Sequence, residues 1–155
     1  MLNRETLIDF LELFKRAKGI QDYYYDKCYT AVYAQKFGDR IAYDDVFNAL
    51  FHVKNLINLI LDDIAPLECI LCNEPSCLSA IDSLKKYLKQ LLDCQEKLNG
   101  IVSKLHEKSN GSLFSYSYFR YAKDNAMLNH AMRVLESDAN KLQDDYEIML
   151  YSLAT

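Results

Sequence analysis

The chain predicts an all-α fold, a single-domain bundle of four to six helices with a long C-terminal antiparallel helical hairpin. Three observations carry that expectation. Apolar residues recur at alternating steps of three and four along most of the 155 residues, the spacing that lines one face of an α-helix. Only four glycines and two prolines are present, too few to punctuate a many-stranded β-protein. Half of the residues are apolar and 26% are charged, the balance of a folded chain with one core, so residues 1–155 are read as one domain.

The first helix is expected over residues 3–18, with Leu7, Phe10, Phe14 and Ala17 on one face. Asn3 suits its cap, and Gly19 suits the left-handed position that closes a helix. A second helix, over 21–36, carries Tyr23, Tyr24, Tyr25, Tyr29 and Tyr33. The alternative is one continuous helix that tolerates Gly19.

Residues 43–65 are the most apolar stretch and are expected at the centre of the bundle. Val46, Leu50, Val53, Ile57, Ile60 and Ile64 share a face, widened by Phe47, Phe51, Leu56, Leu59 and Leu61. A stripe that wide belongs to a helix with several neighbours. Asp44 and Asp45 favour its start, and Pro66 is expected to stop it.

An elbow between Pro66 and Pro75 leads to a helix over 76–108, with Ser76 as its cap. Its core face reads Ile81, Leu84, Leu88, Leu91, Gln95, Leu98, Val102 and Leu105. The run Ser109-Asn110-Gly111-Ser112 is a turn, Gly111 being free to take positive φ. The last helix, 113–153, keeps its stripe from Phe114 to Leu153 for roughly 60 Å. That exceeds what a small bundle needs, so it either breaks near 137–140 or leaves part of its stripe for a partner.

No catalytic constellation is assembled. The chain lacks Glu-x-x-His and His-Glu-x-x-His helices around His52, His106 and His130, a glycine-rich phosphate loop and a Gly-x-Ser-x-Gly elbow. The function expected is therefore a non-enzymatic protein-interaction module, an adaptor, inhibitor or assembly subunit without cofactor, that self-associates as a homodimer. Tyrosine offers large contact area with a polar tip, which selects Tyr23, Tyr24, Tyr25, Tyr29, Tyr116, Tyr118 and Tyr121 as partner-binding residues. Gln95 and Asn125 interrupt apolar stripes at matching distances from the turn. They are expected to hydrogen-bond across the hairpin and set its register.

Two alternatives remain. Cys69, Cys72 and Cys77, with Cys94 as a fourth ligand, have part of the spacing of a zinc site. The aromatic and basic run from Tyr116 to Lys123 has the composition of a nucleic-acid surface, against which stands a net charge of −4. The N-terminus lacks the basic-then-apolar order of a secretory signal, and no apolar run reaches the ~18 residues of a membrane span. With an odd number of cysteines, five, the expectation is an intracellular, cytoplasmic protein with reduced thiols.

Overall fold

Steps of three and four place Phe10, Leu13, Ala17 and Ile20 on one face of α1 (Arg4–Tyr23), and all four are buried. After Ile20 the buried positions become Tyr24, Cys28 and Val32, a uniform step of four. A regular α-helix would carry such a row around its own axis. The chain instead opens into one π-helical turn over Tyr24–Tyr29 and resumes as α2 (Thr30–Tyr33). Bonding from i to i+5 absorbs the extra residue and keeps the row on the core side. The result is a single rod over residues 4–33, not two helices parted at Gly19. Stopping at Gly19 would have forfeited the burial of Ile20 and Tyr24, which outweighs about 1 kcal/mol for a helical glycine.

The computed structural model describes residues 4–33, 41–71, 73–111 and 116–154. α3 (Tyr43–Ile70) buries the six residues of its predicted stripe together with Ala49 and Leu67. It also runs through Pro66, contrary to the expected stop. An internal proline costs roughly 3 kcal/mol, but continuing the helix brings Leu67 and then Leu71 into the core. Two buried leucines at about 1.5–3 kcal/mol each offset that cost.

α4 (Pro75–Ser109) begins on Pro75, whose missing N–H suits a first helical position. Glu74 takes the cap position, without a side-chain hydrogen bond, in place of the expected Ser76. The helix ends at Asn110, and Gly111 follows with φ of 75° as the turn requires. α5 (Tyr118–Ala154) is unbroken, so the expected interruption near 137–140 does not occur. Phe114 lies outside the described residues. The great length of α5 is matched by α4, at 37 and 35 residues, and the two pack along each other as an antiparallel hairpin.

The hub of the bundle is α4, not α3. α5, α3 and the α1 rod all rest on α4, which buries thirteen described residues against eight in α3. α3 packs on α4, α1 and the π-helical turn, and makes no extended contact with α5. Part of its wide stripe therefore faces outward. No helix among the described residues is long and apolar enough to cross a membrane.

Candidate interaction surfaces

The tyrosines divide into an inner and an outer set. Tyr24 is fully buried, its hydroxyl donating to the Cys94 carbonyl at 3.5 Å, and burial drives its pKa far up. Tyr25, Tyr29 and Tyr33 follow at steps of four beside it, their rings in successive contact at 6.1 and 4.8 Å. Tyr33 donates to Asn125 Oδ1 on α5. Tyr23 stands edge-on to His52 at 5.3 Å, between α1 and α3. Tyr116 is buried as well, donating to Asp124, with Lys104 and Arg120 over its ring and Tyr121 at its edge. Most of the expected contact tyrosines thus serve packing between helices. Tyr118 alone of that set is largely exposed, at 82%, next to Phe119 at 79%.

Asp124 joins this end of the hairpin electrostatically. Burial works to raise its pKa, but hydrogen bonds from Lys104 at 2.8 Å and from Tyr116 overcome it and hold the carboxyl below its ordinary value. The Tyr116 phenol is pushed up by burial and by that same bond.

Gln95 and Asn125 do not meet. Gln95 Nε2 donates to the Leu50 carbonyl on α3 at 3.2 Å, while Asn125 accepts from Tyr33. Matching distance from the turn put both at one level of the hairpin, but not on facing sides. α4 is surrounded, and its Gln95 face belongs to α3.

The cysteine alternative loses its fourth ligand. Cys77 and Cys94 lie seventeen residues apart on the same unbroken helix, about 25 Å along its axis. Cys69 is exposed, Cys77 is buried, and Cys72 lies outside the described residues. Burial pushes the Cys28 and Cys94 thiols up to about 12, so both stay protonated and unreactive at neutral pH. Among the described residues no group of three His, Cys, Asp or Glu side chains is placed to hold a metal ion.

The outer face of α3 stands out by contrast. Asn48, Phe51, His52, Asn55, Asn58, Leu59 and Asp62 fall within about a third of the helical circumference, and all seven are exposed. Phe51 is 64% and Leu59 53% exposed. From Asn48 to Leu59 this face carries no Asp, Glu, Lys or Arg; Lys54 lies to one side of it. An exposed helical face normally carries charges, so a strip of two large apolar groups among amides is unusual. Comparison with protein-family models, curated proteins and solved structures finds no match.

Sequence pattern alone places Phe51 and Leu59 in a buried stripe, and the structure corrects this: both are exposed, because among the described residues α3 has no neighbour on that side. The signal was present: the face opposite Val53, Ile57 and Ile60 contains asparagine where a solvated helix would carry Glu and Lys.

Proposed function

We propose that the protein is a non-enzymatic interaction module that self-associates through the outer face of α3, two copies lying antiparallel about Asn55. The observation that carries this reading is the charge-poor strip from Asn48 to Leu59 and its symmetry. A two-fold axis at Asn55 sets Phe51 against Leu59 of the second copy, His52 against Asn58, and Asn48 against Asp62. Apolar groups then meet apolar groups, amide meets carboxylate, and Asn55 meets itself. A self-complementary patch is what an isologous dimer requires, and a central asparagine pair fixes register in paired helices.

The strip spans about 21 Å of one helix, so the interface falls at the small end of specific contacts and its dissociation constant in the micromolar range. Sedimentation velocity from low to high micromolar protein tests it. The wild-type mass should climb from monomer to dimer, and Phe51→Glu, which puts charge on an exposed position, should stay monomeric with unchanged helical circular dichroism. A wild-type chain that remains monomeric throughout, or a dimer that persists in Phe51→Glu, overturns the proposal.

A further inference from the structure

α1 and α5 run antiparallel over α4 and touch at two levels. The rings of Phe14 and Tyr146 meet at 4.5 Å, and beyond the π-helical turn Tyr33 bonds to Asn125. Beside the first of those contacts the helices part, with the small side chains of Ala17 on α1 and Ala139 on α5 among the lining residues. The opening is a cleft of about 390 Å³ with Tyr87 of α4 among its lining residues, within the range of small-molecule sites.

The lining is divided by chemistry. Leu11, Phe14, Leu142 and Tyr146 supply apolar walls, while Lys15, Lys18, Gln21, Asn140 and Gln143 supply cations and amides. Among the described residues no carboxylate lines the cleft, although the chain holds 22 acidic residues against 18 basic ones. The Tyr87 hydroxyl donates to Gln21 Oε1, which leaves the Gln21 amide hydrogens as donors. Among the described residues Lys15 has one carboxylate partner, the exposed Glu12 at 3.7 Å, and Lys18 pairs with none.

We infer that this cleft binds a single-chain amphiphile with an anionic head, a fatty carboxylate. Its chain lies against Phe14, Leu142 and Tyr146, and its carboxylate meets Lys15, Lys18 and the Gln21 amide. Anionic charge is selected because every polar lining group other than the Tyr87 and Tyr146 hydroxyls is a cation or an amide with a hydrogen to donate, Gln143 giving one of its two to Glu147. A helical peptide is the wrong shape: a helix is about 10–12 Å across, and the Phe14–Tyr146 contact bridges the two walls of the slot. An extended alkyl chain passes beside that bridge.

Isothermal titration of the full chain with dodecanoate below its micellar concentration tests the inference, with dodecyltrimethylammonium as the cationic counterpart. Dodecanoate should bind saturably at one per chain, and the cation at least about tenfold more weakly. Lys15→Glu with Lys18→Glu, both on exposed positions, should weaken dodecanoate by about tenfold or more without loss of helix. Ala139→Leu should abolish binding by filling the gap. Absence of saturable dodecanoate binding, equal binding of the two amphiphiles, or indifference to the lysine reversals overturns it. So does capture of an acidic amphipathic peptide in place of dodecanoate. Dimerisation through α3 is read separately, so failure of one reading leaves the other standing.

Discussion

Along α4, the side that meets α3 is mainly apolar, its polar contacts being Gln95 within the core and the partly exposed Lys85–Glu68 pair at 2.8 Å, whereas the side that meets α5 is crossed by polar pairs. Ser83 donates to Asp145, Lys86 lies 3.5 Å from Asp138, Gln90 donates to the Ala131 carbonyl at 2.9 Å, and Lys104 pairs with Asp124. α3 brings Leu50, Val53, Ile57, Ile60 and Ile64 to the core, all almost wholly buried. α5 brings Leu128, Ala131, Leu135, Leu142 and Met149, spread over a longer helix. Apolar burial is strong but without direction, while hydrogen bonds are weak in net energy and specific in geometry. One neighbour of α4 is held by area, the other is aligned by bonds.

The largest test of that contrast is Ile57→Ala, which removes a fully buried side chain at the α3 contact. It should cost about 2–5 kcal/mol, read from the urea midpoint. Ser83→Ala, which takes the hydroxyl donor from Asp145, should cost about 1–2 kcal/mol. If the second loss matches the first, the division between the two contacts is wrong.

Acid should sharpen it. The Asp145 carboxyl is held below its ordinary value of 3.8 by the hydrogen bond from Ser83 and by Lys141, against a smaller effect of burial. Asp124 is depressed as described. A depressed folded pKa means that stability is fully present above the unfolded value and is lost as pH falls through the folded one, here below about pH 4. Amides of α5 should then exchange faster relative to those of α3 in hydrogen-exchange measurements. Alkali acts the other way, on the inner cluster. Cys28 and Cys94 rise from 9.0 to about 12 through burial, so the stability they add is complete below pH 9.0 and disappears as pH rises toward 12.

The smallest effect belongs to Asp138, buried on α5 with its Oδ2 unpaired among the described residues. Lys86 is mostly exposed and only 3.5 Å away. Asp138→Asn should leave thermal stability unchanged or raise it by about 1 kcal/mol at most, since it removes a poorly compensated charge.

How far these features were legible depends on range. Periodicity marked one buried row on each helix, from Val46 to Ile64 on α3 and from Ile81 to Val102 on α4, Gln95 included, because one helix face is a local property; it did not mark Tyr87, Cys94 or Ile101, which are buried because α4 has neighbours on more than one side. The hairpin was legible for the same reason, from Asn110-Gly111 and the two long stripes. Continuation through Pro66 was not, since Leu71 repays it only by contact with other helices. Nor was the separation of Gln95 from Asn125, which depends on what surrounds α4. The cleft has Ala17 and Ala139 in its lining, and both look like ordinary helix formers until α1 and α5 are set side by side.

The π-helical turn has one more consequence. Between Ile20 and Val32 the chain carries one residue more than an α-helix over that span requires, so the rod holds a unit of slack. Excising the exposed Asp26 would turn the steps from Ile20 through Tyr24 and Cys28 to Val32 from four, four, four into four, three, four. That is the ordinary α-helical alternation, so the flanking segments would keep their neighbours. A one-residue deletion, which would throw every later side chain onto the wrong face elsewhere in these helices, should here be healed in place.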